Sequence, residues 1–271
     1  MKKFLRWSKT LGIVGSLITG TILMGSWQAL ALTTEQVLER LQPVPLFTIG
    51  NSNNRPLIGE AEDGAPVMTV FISPDDAQTL LNQLKSDNPQ QTAEFRVIPV
   101  SLGGIYQIAR QNEGQEQPLR FSFVPAQEQI AAARTVLQEN GEDPSQIRDV
   151  PLFVAAWTQG EERGYLMSQR GDETVVPMFF DKAELQAMLD NLRQSQPELA
   201  SNVSIEVVFL TELIQTLETS DNEELNRIEL VVPQESIRFI QSSQGQQGGQ
   251  PPAPNQPAPA APSPQPAQPQ Q

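Results

Sequence analysis

Carboxylates are the most numerous side chains in this sequence that could do chemistry, because the chain contains no histidine and no cysteine. The absence of histidine excludes His-based triads, His-ligated zinc and imidazole acid–base catalysis. The absence of cysteine excludes thiol nucleophiles, thiolate metal sites and disulfides. Any catalysis or metal binding would therefore rest mainly on the 32 Asp and Glu residues.

The most suggestive carboxylate pair is Asp75–Asp76, at the predicted start of a helix. Adjacent residues on a helix do not face each other, whereas acidic residues in the first turn stabilise the positive end of the helix dipole. A glycosidase needs only two facing carboxylates, so an enzyme without His or Cys chemistry stays the third hypothesis. We predict that the protein is not an enzyme and has no catalytic residue.

Glycine-containing motifs offer two other kinds of site. The triplets EDG (62–64), GED (141–143) and GDE (171–173) lack the alternating oxygen ligands of a calcium loop. Gly103 and Gly104 open a predicted helix, where an anion could bind. No P-loop, nucleotide fingerprint or nucleophile elbow is present. We therefore expect no metal site and no cofactor, and interpret the triplets as turns.

An internal repeat organises the chain. The tetrapeptide VPLF occurs at 44–47 and again at 150–153, and a shift of 108 carries residues 70–89 onto 178–197 and 97–109 onto 205–217. Apolar positions, helix starts and prolines match over about 80 residues. Two copies are too few for a solenoid. The sequence therefore predicts two tandem-duplicated α/β halves, related by a pseudo-two-fold axis, that bury their apolar faces against each other.

Each copy has the signals of a mixed sheet with helices. In the first copy we predict strands at 44–49, 56–60, 66–72, 94–100 and 121–124, and helices at 73–86, 103–109 and 126–141. Ser73 and Asp181 are the predicted N-caps of matching helices. A further helix at 33–42, capped by Thr33 with Gln36 three residues on, precedes the repeat. The fold class is α/β with a mixed sheet.

The two ends of the chain differ from the middle. Residues 1–31 have four cations, an apolar run from Leu11 to Gly25 and an A-L-A triplet, which predicts a secretory signal peptide; an uncleaved membrane anchor is the alternative. Without them 14 cationic residues face 32 acidic ones, a net charge of −18, so we expect no nucleic-acid partner. We predict repeats at 32–141 and 142–241, and a disordered Gln/Pro-rich tail at 242–271.

Six ordered motifs carry a resemblance to a known family: VPLF (44–47), VFISPDDAQTLLNQLK (70–85), PVSLGGIYQIA (99–109), FSFVP (121–125), VPLF (150–153) and VPMFFDKAELQ (176–186). Over residues 34–241 the chain resembles the twenty-two-kilodalton subunit of the chloroplast inner-envelope (Tic) protein translocon, in its cyanobacterial form. The resemblance implies a butterfly of two similar halves, with an apolar groove on each side. It also implies an exported protein in the periplasm, or alternatively in or beside the thylakoid lumen.

The resemblance further implies a chaperone-like or translocon-accessory role in protein transport and outer-membrane biogenesis. Its partners would be unfolded or β-barrel precursor polypeptides and an Omp85-type outer-membrane barrel, and peripheral membrane association stays open. A scaffold that docks folded partners is the alternative. The candidate partner-binding residues are apolar: Phe47, Phe71, Phe153, Trp157, Met178, Phe179 and Phe180. Because Phe is usually buried, a core role for each of them also stays open.

Overall fold

The computed structural model describes residues 32–147, 149–220 and 222–247. The predicted signal peptide at 1–31, and the part of the predicted tail at 248–271, lie outside these residues. The elements of the first half are α1 (Thr34–Leu41), β1 (Pro45–Gly50), β2 (Ile58–Glu60), β3 (Pro66–Phe71), α2 (Pro74–Asp87), β4 (Arg96–Ser101), α3 (Leu102–Gln111), β5 (Arg120–Val124) and α4 (Gln127–Glu139).

The second half repeats most of this order. Its elements are β6 (Pro151–Gln159), β7 (Glu162–Tyr165), β8 (Ser168–Arg170), β9 (Glu173–Phe179), α5 (Lys182–Ser195), α6 (Pro197–Ala200), β10 (Val203–Phe209), α7 (Leu210–Thr219), β11 (Ile228–Val231) and α8 (Gln234–Gln247). Short 3-10 helices at Pro144–Gln146 and Glu223–Arg227 complete the connections. The predicted α/β class with mixed sheets is confirmed.

The two sheets have the same strand order and the same directions. The first runs β4-β1-β3-β5 and the second β10-β6-β9-β11. In each, the two inner strands are antiparallel and the last pair, β3–β5 or β9–β11, is parallel. The inner strands meet at Phe47↔Phe71 in one sheet and at Phe153↔Phe179 in the other. β3 and β4 run in the same direction, and β1 lies between them, antiparallel to both.

The turn residues at 51–55 predict that the strand at 56–60 returns along the strand at 44–49 as a hairpin. The structure differs, because the ladder of β2 is with β3, where Ile58 pairs with Met68. Only an isolated bridge, Gly50↔Pro56, joins the turn back to β1. Prolines explain why the contact with β1 is limited to one bridge. Pro56 precedes β2 and Pro66 follows it, and neither residue can donate a backbone hydrogen bond to a ladder.

Helix starts follow the capping residues that the sequence indicates. Thr33 and Gln36 form a complete capping box on α1. The Ser73 side chain accepts from Asp75 N at the start of α2, and Asp181 accepts from Ala183 N at the start of α5. These predicted caps are confirmed, and they fix where each helix leaves its strand.

The inner strands β1, β6 and β9, and the end of β3, are buried on both faces. Alternate residues of a strand point to opposite faces, so on β1 Leu46 faces a central apolar cluster between the halves and Phe47 faces an outer one. On β6 Leu152 and Phe153 divide in the same way. The central cluster also contains α1, α3 and α7. Strands buried on both faces read as continuous apolar runs, which is why their faces cannot be assigned from periodicity.

The outer face of each sheet is covered in part by a helix from the other half of the sequence. α4 comes from the first half, yet its Ala133 and Val136 pack with Phe153 of the second sheet. α8 ends the second half, yet Phe239 packs on Phe47 of the first sheet, with ring centroids 5.1 Å apart in an edge-to-face arrangement. The halves therefore exchange helices, and neither sheet is closed by its own sequence alone.

Helix α8 also corrects the predicted start of the tail. The tail was expected from residue 242, but the helix continues to Gln247. Ser242 and Ser243 direct their hydroxyls to Phe239 O, each at 2.8 Å. Hydroxyls bonded back to the preceding turn are compatible with helix, and Gln is a good helix former. Composition therefore placed the boundary too early.

Candidate partner-binding surface

Six of the seven apolar residues predicted to contact partners are buried. Phe47, Phe153 and Met178 have no solvent exposure, and Phe71, Phe179 and Phe180 keep at most 6%. Phe47 and Phe71 lie in the outer cluster of the first sheet, and Phe153 and Phe179 lie in the outer cluster of the second. Met178 and Phe180 lie in the central cluster. These six side chains belong to the apolar core in this structure, and a partner-binding role for them stays a prediction.

Trp157 is the exception among the seven. It is half-buried near the end of β6 and lies over Gly164 of β7. A Cβ added at Gly164 would stand 2.9 Å from Trp157 Nε1, so the glycine is what lets the indole lie flat on β7. A partner-binding role for Trp157 stays a prediction.

The sheet edges offer a different kind of surface. The outer strands of the four-strand orders are β4 and β5 in the first sheet and β10 and β11 in the second, and the short strands β2, β7 and β8 also pair on one side only. An edge strand presents unpaired N–H and C=O groups, to which an extended chain can add. Folded proteins usually protect such edges with proline, polar side chains or covering elements. The edges at β4, β10, β11 and β5 differ in this protection.

A proline protects the β4 edge. Ile49 of β1 accepts from Leu57 N, on the side of β1 away from β4. Phe47, two residues earlier on β1, also directs its peptide groups away from β4. Its partner on β4, Pro99, therefore directs its own backbone groups to the outer edge of the sheet. Since proline has no N–H, this edge lacks a donor at its centre.

Side chains cover the two edges of the second sheet. On β10, Asn140 Nδ2 donates to Ile205 O at 3.0 Å. On β11, Arg40 of α1 donates from Nη1 to Ile228 O at 3.2 Å and from Nη2 to Asn226 Oδ1 at 3.3 Å. Burial lowers the pKa of Arg40, against the opposing effect of Glu39 and Glu173. These two hydrogen bonds hold the Arg40 guanidinium against the edge of β11, where it occupies the carbonyl of Ile228.

The β5 edge has no such protection within the described residues. Val124 O accepts from Ile72 N at 3.2 Å, so Val124 faces the neighbouring strand. Because alternate residues direct their peptide groups to opposite edges, Phe121 and Phe123 direct theirs outward. In the part of the chain that the structure describes, neither a strand nor a side chain bonds to these outward groups.

The two faces of β5 have different chemistry. Phe121 and Phe123 are half-buried against the central cluster. Ser122, on the opposite face, is exposed, and Arg120 is exposed with its Nη1 2.7 Å from Asp63 Oδ2. The Ala65 N–H and then Arg120 lower the pKa of Asp63, so this carboxylate is ionised. β5 is therefore an open edge with one apolar face and a second face that is polar at Arg120 and Ser122 and packs against the outer cluster at Val124.

The sequence contains a signal for this edge. At residues 120–123 the letters RFSF alternate between polar and aromatic residues, whereas the inner strands are continuous apolar runs. A half-exposed strand is what such alternation indicates. Pro99 within a strand likewise indicates an edge.

The other candidate sites have structural explanations. A Cβ at Gly103 would lie 2.8 Å from the backbone N and Cα of Gln42. Gly103 therefore permits close approach of the end of α1 to α3, which accounts for it without an anion. Within 32–147, 149–220 and 222–247, no group of three or more acidic residues is placed to hold a metal ion. Over the same residues, no helix is long and apolar enough to cross a membrane.

Comparison with known proteins gives consistent relatives. The family model described as the Tic22-like family matches residues 15–244. Protein TIC 22, chloroplastic, from Pisum sativum is 21% identical over 217 residues, covering 80% of this chain and 79% of its own length. Protein TIC 22-like, chloroplastic, from Arabidopsis thaliana is 23% identical over 207 residues, covering 74% of this chain. This chain spans 62% of the Arabidopsis relative's length.

Two solved structures share the fold. Anabaena Tic22, a protein-transport protein, superposes with a TM-score of 0.68 at 26% identity, covering 78% of this chain and 97% of its own. Tic22 from Plasmodium falciparum superposes with a TM-score of 0.64 at 20% identity, covering 78% and 98% respectively. The family match extends through the described body, including α1, the exchanged helices and all four edge strands. The chain belongs to the Tic22-like family.

Proposed function

We propose that this protein assists protein transport as a chaperone-like or translocon-accessory protein that binds extended segments of unfolded polypeptides. The unprotected β5 edge carries the proposal, since it offers free peptide groups beside two half-buried phenylalanines. Main-chain hydrogen bonds supply affinity in this mode of binding and depend little on the client's sequence. The similarity to Anabaena Tic22, a protein-transport protein, supports the same role.

We propose precursor or outer-membrane β-barrel polypeptides as clients, and an Omp85-type barrel as the protein that receives them. The predicted signal peptide at 1–31 supports an exported protein. Periplasm is the proposed location, with the thylakoid lumen or thylakoid surface as the alternative. The chloroplastic relatives support a place in membrane-bounded transport.

We also propose that the halves arose by tandem duplication and are related by a pseudo-two-fold axis. The shared strand order supports this, as does the equivalent meeting of Phe47 with Phe71 and of Phe153 with Phe179. The repeat shift is 108 for β3 and β9. It is 107 for β5 and β11, because Phe71 pairs with Val124 and Phe179 with Val231. Phe123 and Leu230 are therefore counterparts.

A scaffold that docks only folded partners is the second candidate. The burial of six predicted contact residues favours it, since large apolar side chains at the surface are few among the described residues. Such scattered residues are normal for a protein surface. An enzyme is the third candidate, and no arrangement of side chains described above favours it.

Binding of an unfolded barrel segment distinguishes the first two candidates. The exported protein would be titrated into a fluorescein-labelled, urea-unfolded β-barrel segment diluted into buffer, with anisotropy as the readout. We expect saturable binding that survives moderate salt, since backbone and apolar contacts are not screened. A folded barrel of the same sequence is the control. Equal binding of both forms, or of the folded form alone, would favour the scaffold.

A further inference from the structure

We infer that β5 accepts a client segment as an added β-strand, and that it selects segments whose side chains alternate between apolar and polar. This inference rests on the proposed function, because it names the class of client that the same edge would take. Its basis is the difference between the two faces of β5, together with the proline at the β4 edge and the side chains that bond to the β10 and β11 edges.

The geometry of strand addition determines what each client side chain meets. An added strand lies about 4.7–4.9 Å from its neighbour and continues the same two faces. Every second side chain would lie beside Phe121 and Phe123, which are half-buried against the central cluster. The side chains between them would lie beside exposed Ser122 and the Arg120–Asp63 ion pair.

This division favours alternating segments over uniformly apolar ones. Apolar side chains beside the phenylalanines leave water, and this burial favours binding. Apolar side chains beside Ser122 stay exposed and gain little. A transmembrane helix segment is apolar throughout, whereas the strands of an outer-membrane barrel alternate. The edge therefore matches barrel strands.

Charge near β5 adds a preference at one end of the client. Arg120 contacts Asp63 in a turn that also carries exposed Glu62 and follows exposed Glu60 at the end of β2, so acids outnumber cations in this segment. The whole chain has a net charge of −14. A lysine or arginine at the matching end of the client would be favoured by this field.

Two other occupants fit the edge less well. A second copy of the chain would pair through a five-residue strand, about 17 Å long, which buries much less than the roughly 1,200 Å² of a stable interface. The end of this chain has nine prolines in residues 251–271, and proline cannot donate to a ladder. An unfolded client with alternating residues is the occupant that we propose.

The counterpart strand supplies a matched control. Leu230 of β11 corresponds to Phe123 of β5, and Arg40 already bonds to that edge at Ile228 O. Phe123→Pro removes an outward N–H and leaves the bonds to β3 intact. Leu230→Pro removes the equivalent N–H from the covered edge. Only the first change should affect client binding.

The experiment uses two labelled peptides of identical composition, one with alternating apolar and polar residues and one with the apolar residues grouped in a block. We expect the exported protein to bind the alternating peptide at least tenfold more tightly. Phe123→Pro should abolish this preference, and Leu230→Pro should retain it. Ser122→Phe, at an exposed site that keeps every N–H, should reduce the preference by making both faces apolar. Trp157 emission, from the second sheet, reports whether each variant is folded.

The outcomes separate the inference from the proposed function. Equal binding of both peptides, or a preference that survives Phe123→Pro, overturns the inference while polypeptide binding stands. Failure of both peptides and of the unfolded barrel segment overturns the proposed function itself. Self-association that Phe123→Pro removes, measured by sedimentation velocity, would assign the edge to a second copy instead. If Phe123→Pro does not fold, an unchanged preference in Ser122→Phe overturns the inference.

Discussion

The two sheets are closed by helices of complementary size. In the first half, the small Ala77 of α2 shares its cluster with the large Phe239 of α8. In the second half, the large Leu185 of α5 shares its cluster with the small Ala132 of α4. Ala77 corresponds to Leu185 by the shift of 108, and Ala132 to Phe239 by the shift of 107. The volume lost on one helix is supplied by the helix that crosses over.

This comparison indicates that α4 stabilises the second sheet and α8 stabilises the first, although each helix comes from the other half of the sequence. Dense packing requires the two contributions to fill one space, although they lie more than fifty residues apart in sequence. The halves also differ at their edges, since Arg40 of α1 covers β11 and no described residue does the same for β5. The two sheets have the same strand order, but the parallel edge strand β11 is bonded by Arg40 and the parallel edge strand β5 is open.

The largest effect is expected from breaking the size complementarity of the first half. Phe239→Ala should lower the free energy of unfolding by about 2–3 kcal/mol, and Ala77→Leu by about 1–3 kcal/mol. The double variant copies the arrangement of the second half. Its loss should fall short of the sum by about 1–3 kcal/mol. Urea denaturation of all four proteins measures the coupling, and strictly additive losses would show that the two sites do not share a space.

The next effect concerns how closely α1 packs against α3 of the first half and against α7 of the second. Gly103→Ala should destabilise by about 1–3 kcal/mol, because the new methyl group meets the backbone of Gln42 at 2.8 Å. Thr211→Ala at the counterpart position of α7 should change stability by less than about 0.5 kcal/mol. Thermal unfolding compares the two variants. Equal effects would mean that α1 is not seated more closely on the first half.

A smaller effect concerns the starts of the exchanged helices. Glu184 of α5 accepts from Gln234 N at 2.8 Å and so caps α8. Its counterpart Asp76 is one methylene shorter and leaves Oδ2 buried without a partner, while α4 has no side-chain cap. Glu184→Ala should destabilise by about 1 kcal/mol, and Asp76→Glu should stabilise by up to about 1 kcal/mol. Destabilisation by Asp76→Glu in urea melts would break the comparison.

The smallest effect is a pH dependence at α8. Burial raises the pKa of Glu235, an effect increased by Asp75, Asp181 and Asp76 and opposed by a hydrogen bond with Ser73. A raised native pKa means that the folded state favours the protonated form, so this group's contribution to stability is lost as pH rises through that pKa. Glu235→Gln should therefore raise the melting temperature slightly at pH 7 and leave it unchanged well below pH 4. A larger gain at the acid end would contradict this assignment.

Local signals predicted the elements well. Thr33, Ser73 and Asp181 cap helices as expected, and the VPLF strands have the predicted positions. These features depend on neighbouring residues alone. The repeat in the sequence likewise anticipates the matching strand order of the sheets.

Features that depend on distant contacts were not predictable in the same way. Periodicity shows that α4 and α8 each have an apolar face, but not which sheet receives it. The burial of Phe47 follows from the arrival of Phe239, almost two hundred residues later. Whether an edge is open depends on side chains such as Arg40 and Asn140, whose local sequence gives no indication of a covering role.

Residue-level hydrogen exchange tests the central claim, that a client adds to the β5 edge, most directly. The exchange of backbone amides would be followed by NMR in the exported protein, with and without an unfolded β-barrel segment. The account predicts that the amides of Phe121 and Phe123, which face outward, slow at least tenfold on binding, while those of Ile228 and Leu230 on the covered edge do not change. Binding of the segment with no slowing at Phe121 and Phe123 would contradict the account.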